Sequence, residues 1–358
     1  MSDASKTVLV TGGAGFIGTN FIRHVLETRS GWQVVNLDRL TYAGNIKNFD
    51  PLPEEWRDRY TFVHGDICDS GLLERLFARY RFDGVFHFAA ESHVDRSIAS
   101  PEAFIETNVM GTFRLLEASL KMWEREGRPN FRFLHVSTDE VYGSLGAQGY
   151  FTEATPYDPS SPYSASKAGS DHLAKAYHRT YGLPVVVTNC SNNYGPFQFP
   201  EKLIPLMILN IVEQKPLPVY GDGLNVRDWL YVLDHCDALL RVFEKGRAGE
   251  TYNIGGNSER RNIDVVYLLC DILDQRLGRN NDEVSRNLIT FVKDRPGHDR
   301  RYAIDAGKLM QELGWRPQYD FETAMEETVD WYLKNTEWVN DVRSGEYRQW
   351  IEENYGKR

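Results

Sequence analysis

The sequence predicts an α/β fold, a doubly wound parallel sheet with a smaller C-terminal α/β domain. Three features carry that prediction. Near-continuous apolar runs alternate with amphipathic stretches over residues 8–188, as strands covered by helices on both faces must. The first run ends in a glycine-rich turn and the second in an acid. After Asn189 the alternation stops, and Pro196, Pro200, Pro205, Pro216 and Pro218 crowd together.

Taken in order, residues 8–10 form the first strand. Thr11-Gly12-Gly13-Ala14-Gly15-Phe16-Ile17-Gly18 is the turn into a helix that ends near Arg29, and residues 34–38 form the second strand. Strand, glycine turn, helix and strand with a terminal acid make the Rossmann-type dinucleotide-binding unit. Residues 60–64 and 84–88 supply two more strands, with a helix around 72–80 between them. A long helix runs from Pro101, acceptable in a first turn, to about Glu126. Residues 131–136 read as a buried strand, a helix opens at Tyr163, and 185–188 form the next strand. Helical stretches at 203–213, 234–245, 263–277 and 321–334 then alternate with short segments. Two of those segments, 226–232 and 251–254, are able to rejoin the first sheet. The expected division is therefore 1–195 with 225–256 for the dinucleotide domain, and 196–224 with 257–358 for the second domain.

Bulk properties narrow the function. With 358 residues, 41% hydrophobic and 13% aromatic, the chain has the length and composition of a globular enzyme. A net charge of −10 argues against a nucleic-acid or anionic-membrane partner. Cys68, Cys190, Cys236 and Cys270 have neither metal-ligand nor disulfide-framework spacing, so no metal is expected and reduced thiols in a cytoplasmic protein are. Residues 1–6 are too short and polar for a signal sequence, and no apolar run approaches a membrane span.

The glycine turn carries the first chemistry. Gly12, Gly15 and Gly18 permit a tight turn and close backbone approach, so that a helix N-terminus can accept a pyrophosphate. Asp38, twenty residues after Gly18, suits a free ribose 2′-hydroxyl, which favours NAD over NADP. Arg39 beside it pulls the other way, because an arginine there can accept a phosphate. Asp66 and Ile67 after the third strand, and Ala89, Ala90 and Ser92 after the fourth, lie on the same carboxyl edge.

Residues 137–167 hold the proton-handling groups. Ser137-Thr138-Asp139-Glu140-Val141-Tyr142-Gly143 follows a buried strand, and Tyr163-Ser164-Ala165-Ser166-Lys167 opens a helix. A spacing of four puts Tyr163 and Lys167 on one face.

These stretches resemble the extended short-chain dehydrogenase/reductase family of nucleotide-sugar enzymes. Within it, Thr138-Asp139-Glu140, residues 89–96 (AAESHVDR), 189–196 (NCSNNYGP), 201–205 (EKLIP) and 295–305 (RPGHDRRYAID) are similar to the dTDP-glucose 4,6-dehydratases. The resemblance implies NAD as cofactor and dTDP-glucose as substrate. It extends the cofactor contacts to Phe16, Ile17, Leu40, Thr41, Phe88, Thr107 and Asn193, with Tyr163 and Lys167 shared. It implies substrate contacts from Ser92, Thr138, Asn192, Lys202, Leu203, Pro218, Val219, Tyr220, Arg227, Asn262, Arg295 and His298. Arg227 and Arg295 suit a diphosphate by bidentate pairing, and Tyr220 suits the base. A homodimer is also implied, packed through the 101 and 163 helices. Leu115, Leu116 and Ala118 are candidates for either a core or that interface.

The chemistry expected is a proton relay. Lys167 and oxidised NAD favour the Tyr163 phenolate, which takes a proton from a sugar hydroxyl during oxidation at C4. A C4 ketone acidifies C5, and the family assigns Glu140 as the base there and Asp139 as the acid that releases the C6 hydroxyl. For adjacent carboxylates to share one pocket, the chain must leave strand geometry at about Thr138. An NAD-dependent 4-epimerase would share Tyr163 and Lys167 but need no acid–base pair at 139–140. A decarboxylase would share Glu140 but lack Asp139, and a non-catalytic dinucleotide sensor would need none of Thr138, Asp139, Glu140, Tyr163 and Lys167.

Overall fold

The computed structural model describes residues 5–127, 129–279, 284–294 and 297–343. Strands β1 (Lys6–Thr11), β2 (Trp32–Asp38), β3 (Tyr60–His64), β4 (Gly84–His87), β5 (Arg132–Thr138) and β6 (Val185–Cys190) come first. The later strands are β7 (Asn192–Tyr194), β8 (Leu217–Tyr220), β9 (Val226–Tyr231), β10 (Thr251–Ile254), β11 (Glu259–Arg261) and β12 (Ile289–Val292). Seven of them form one sheet in the order β10-β6-β5-β4-β1-β2-β3, with every neighbouring pair parallel. All six residues of β6 are buried, as a central strand with both faces covered requires.

Helices α1 (Phe16–Thr28), α2 (Ser70–Arg79), α3 (Thr112–Glu126), α4 (Pro162–Tyr181), α5 (Leu203–Val212), α6 (Val232–Lys245), α7 (Asn262–Leu277) and α8 (Phe321–Lys334) build the layers. On one face, α1 and α6 meet through Phe21, Phe86 and Phe243, whose ring centroids lie 4.4 Å apart pair by pair along the row. Burying each such ring contributes about 1.5–3 kcal/mol. On the other face, α2, α3 and α4 bury Leu73, Phe77, Leu115, Leu116 and Tyr177 against Leu9, Val85, Phe133 and Val187. Leu115, Leu116 and Ala118 thus belong to the core. A second core joins α5, α7 and α8 through Met207, Ile208, Val266, Leu269 and Val329.

Two expectations need correction. Residues 251–254 do return to the first sheet beside β6, but 226–231 do not. With β10 occupying that edge, β9 pairs instead with β7 and β11 in a separate three-stranded sheet. There Arg227 and Asp228 meet the second lobe. The long helix from Pro101 is also interrupted: Ile105–Gly111 forms a π-helical turn before α3. Gly111 sits where a Cβ would come within 2.5 Å of Ile67, so close packing on the β3 loop accompanies the wider turn. Such turns concentrate at functional sites, and Thr107 lies in this one.

Candidate active site

The glycine turn is built by collision avoidance. Gly12 has φ +71°, and a Cβ there would stand 2.6 Å from the Ala89 nitrogen. A Cβ on Gly18 would stand 2.3 Å from the Gly12 carbonyl oxygen. Gly15 is the N-cap of α1 and carries no capping side chain, and no acid occupies the first helical turn. The helix N-terminus therefore presents free donors to an anion. Phe16 and Ile17 are partly exposed beside it.

Asp38 ends β2 with its carboxylate held by the Ala14 N–H at 2.9 Å and the Leu40 N–H at 2.7 Å. Burial pushes its pKa up, and those two N–H groups pull it back. Leu40 reaches this bond through a left-handed backbone, φ +56°. Arg39 is paired with Asp66 at 3.0 Å, which leaves a carboxylate competing with any 2′-phosphate. Thr41 is exposed, and Phe88 lies against Phe21 with centroids 5.2 Å apart. Ile67 faces the core, so only its backbone is available at the edge. Ala89 and Ala90 are half-buried and Ser92 exposed on the loop after β4. Asn108, absent from the sequence expectations, fixes that loop. It accepts from the Glu91 N–H at 2.8 Å and donates to the Glu91 carbonyl and to Ser166 Oγ on α4.

The proton-handling groups converge where β5 meets α4. Thr138 is the last residue of β5, and Asp139–Tyr142 form a 3-10 turn. Successive side chains in such a turn are about 120° apart rather than on opposite faces. Thr138 Oγ1 caps the turn by accepting from the Glu140 N–H at 3.2 Å. Helix α4 starts one residue before Tyr163. Pro162 follows Ser161, whose hydroxyl accepts from the Ser164 N–H at 3.1 Å, while Ser164 Oγ accepts from the Ser161 N–H at 3.0 Å. That capping box sets Tyr163 in the first turn and Lys167 one turn on.

Asp139 is 1% exposed and its Oδ2 has no partner. Its surroundings are polar rather than greasy. Burial first, then Glu140 and Asp228, push its pKa well above the carboxylate range, with Arg227 and Thr138 opposing. Burial and the two neighbouring carboxylates thus favour its neutral form. Tyr163 is also pushed up, by burial, Glu140, Cys190 and Asp139, while a hydrogen bond with Thr138 pulls it down. The Lys167 ammonium is committed elsewhere, donating to the Val136 carbonyl at 2.9 Å. The chain's own groups thus hold Tyr163 as a phenol, and the lowering expected from Lys167 is not what dominates. Cys190 pairs in register with Thr138 on the neighbouring strand, with its thiol pushed up to about 12 by burial. A lone cysteine at the end of an apolar run gives no sequence signal for that placement.

The second lobe closes over this edge. Lys202 donates to the Ser92 carbonyl at 3.2 Å, and Tyr220 to Asp95 at 3.3 Å. The first bond ties the lobe to the loop after β4 and the second to the short helix Val94–Ala99 that follows it. Arg227 is buried, donates to the Asp299 carbonyl at 2.9 Å, and lies 4.2 Å above the Tyr302 ring. Asn192 and Asn262 each hold a buried, unpartnered side-chain oxygen. Asn193 is oriented by His235 Nδ1 at 2.9 Å. His298 meets Asp294 at 2.6 Å, with Tyr220 edge-on at 6.1 Å. Leu203 and Pro218 are half-buried, whereas Val219 packs into the second core and offers only backbone. Arg295 lies outside the described residues. Glu201 gathers Tyr42, His93 and Arg96 at 3.1, 3.8 and 3.7 Å, and burial pushes it up to about 7. Among the described residues no group of three or more His, Cys, Asp or Glu could hold a metal ion, and no helix is long and apolar enough to cross a membrane.

The chain is similar to known proteins over nearly its whole length. A dTDP-glucose 4,6-dehydratase of Xanthomonas campestris pv. campestris is 59% identical over 345 residues, covering 96% of this chain and 97% of that one. The protein of the same name from Salmonella typhimurium is 57% identical over 363 residues, covering 98% and 99%. The structure of DesIV, a dTDP-glucose 4,6-dehydratase from Streptomyces venezuelae solved with NAD bound, superposes with a TM-score of 0.85. It is 48% identical and covers 94% of this chain and 99% of that one. The model of the GDP-mannose 4,6 dehydratase family matches residues 9–328. The chain belongs to that family.

Proposed function

We infer that the protein is an NAD-dependent hydro-lyase that converts dTDP-glucose to dTDP-4-keto-6-deoxyglucose and water. The observation that carries this reading is the pair Asp139 and Glu140 beside Tyr163, with Asp139 held neutral in a buried polar setting. Relatives at 57–59% identity bear the corresponding name.

The cofactor fits what the chain offers: a glycine cradle that a Cβ would fill, an open helix N-terminus and an acid at the end of β2. NAD, when bound, supplies the oxidant for C4, the reductant for C6 and a positive charge beside Tyr163. Once deprotonated beside that charge, Tyr163 as phenolate takes the C4 hydroxyl proton, and Thr138 orients that hydroxyl. Glu140 removes the C5 proton and gives a proton back to C5 once C6 has been reduced. Asp139, already protonated, gives its proton to the departing C6 hydroxyl, which needs an acid rather than a second carboxylate. Arg227, Asn192 and Asn262 hold the diphosphate and ribose.

The dinucleotide lobe is residues 1–195 with the returning segment 232–254. Residues 196–231 and 255–358 bind the nucleotide sugar. The protein is a cytoplasmic homodimer in this reading. Its four cysteines are all free, and Ile105, Met110 and Phe113, 36–49% exposed, lie on the stretch from 101 named by the dimer expectation, with Ile98 exposed on the short helix before it.

Incubating the protein with dTDP-glucose and NAD should give a product lighter by one water without accumulation of NADH. Unchanged mass with a dTDP-galactose product would replace this reading with epimerisation.

A further inference from the structure

Helix α4 carries a stripe that the mechanism uses only in part. Tyr163, Lys167, Asp171 and Lys175 follow one another at spacings of four, so all four face the same side. Asp171 is 0% exposed. A bare carboxylate there would be costly, yet three donors satisfy it. His135 Nε2 lies 3.0 Å from Oδ1, and Ser137 Oγ and the Tyr157 hydroxyl each donate to Oδ2 at 2.9 Å. Lys175 in turn donates to the Tyr157 hydroxyl at 3.3 Å.

Two of those donors sit on β5 immediately before Thr138, and Lys167 is anchored on the same strand through the Val136 carbonyl. The end of β5 is therefore clamped to α4 at consecutive residues, by Lys167 at Val136 and by Asp171 at Ser137. The hydroxyl of Ser170 completes the contact, lying 3.2 Å from His135 Nε2 while donating to the Lys167 carbonyl.

We propose that Asp171 is a positioning residue for the reaction, the buried counter-charge that keeps Lys167 an ammonium and the clamp that sets Ser137 and Thr138. The proposal rests on the dehydratase reading above.

The charges around the pair support it. Facing Lys167 are Asp171 on its own helix, Cys190 on β6, His135 on β5 and His87 on β4. Burial keeps both histidines neutral and the Cys190 thiol protonated. That leaves Asp171 as the anion opposing the desolvation that lowers Lys167. Facing Asp171 are His135, Lys167, Ser137 and Tyr157, with Tyr142 and Lys175 further out. The hydrogen bonds hold Asp171 below the usual carboxylate range despite its burial. Lys167 and Asp171 do not share a hydrogen bond among those found, so the coupling acts through space.

The test is a 15N-lysine NMR titration of the NAD-loaded protein, with the Lys167 signal assigned by its loss in Lys167→Met. Asp171→Asn keeps the size of the side chain and removes its charge. Its Lys167 midpoint should fall by about one pH unit or more, and kcat for dTDP-glucose should fall at least about tenfold with KM unchanged within about twofold. Ser137→Ala and Tyr157→Phe each remove one hydrogen bond and leave the charge, so the midpoint should stay in place. An unmoved midpoint in Asp171→Asn, or equal shifts in all three variants, overturns the proposal. If Asp171→Asn does not fold, the wild-type titration decides: a midpoint above about pH 8 supports the counter-charge, and a lower one removes it. Wild-type protein that leaves dTDP-glucose unchanged would sink the dehydratase reading alone, because the NMR titration does not depend on turnover.

Discussion

At the scale of residues, Asp139 shows how environment divides labour between neighbours. Its carboxyl is raised by burial and by Glu140, so folding takes up a proton at any pH between its unfolded and folded values. That uptake costs stability, and the cost grows as pH rises through the window. Asp139→Asn should therefore melt at a higher temperature than wild type at pH 8, with the difference closing towards pH 4. A difference independent of pH would remove the neutral-acid assignment. The same variant should lose about 10²–10⁴ in kcat, because an amide cannot give the C6 hydroxyl its proton. Glu140→Gln should lose a similar factor for a different reason. In either variant oxidation at C4 would proceed and elimination stall, so reduced cofactor would build up in both and not in wild type. The adjacent carboxyl pair itself was legible in the motif Thr138-Asp139-Glu140. The rise of the Asp139 carboxyl was not, since it follows first from burial, while Asp228 and Arg227, which arrive from β9 about ninety residues later, push it in opposite directions.

At the scale of elements, the turn between β1 and α1 is where backbone geometry leaves least freedom. Gly18→Ala would put a methyl 2.3 Å from the Gly12 carbonyl, whereas Gly15→Ala would meet the same oxygen at 3.3 Å. Overpacking of the first kind costs about 1–3 kcal/mol. Gly18→Ala should thus lower the melting temperature and weaken NAD binding, and Gly15→Ala should do much less of both. Calorimetry with and without NAD would separate the two, and equal effects would mean that the glycines serve the turn alone. The glycine spacing and Asp38 were readable because this unit is local. The interrupted helix at 105–111 was not. Its wider turn is tied to contact between Gly111 and Ile67, two residues from different crossovers. The strand 226–231 went to the wrong sheet for a similar reason, since a short alternating run says that it is a strand but not which edge is vacant.

At the scale of the whole molecule, two lobes meet across the carboxyl edge of the sheet, joined by Lys202 to Ser92 and Tyr220 to Asp95. The exposed apolar side chains Ile98, Ile105, Met110 and Phe113 lie outside both cores. Phe113→Glu should shift the mass measured by light scattering from two chains to one, with the lobes still folded by circular dichroism. A mass that stays at two chains would place the dimer face elsewhere. Leu115, Leu116 and Ala118, equally apolar in sequence, turned out to be core. Apolarity alone cannot tell a face packed on the sheet from one left for a partner.

The sequence by itself determined the alternation that builds the parallel sheet, the dinucleotide turn and the set of proton-handling groups. Each of these is written in neighbouring residues and fixed spacings. Only the tertiary structure decided which charges those groups feel. The Asp139 carboxyl was raised by burial, the Lys167 ammonium was drawn to Val136, and Asp171 was buried among His135, Ser137 and Tyr157. Protonation follows from burial and from partners distant in sequence, and neither exists until the chain has folded.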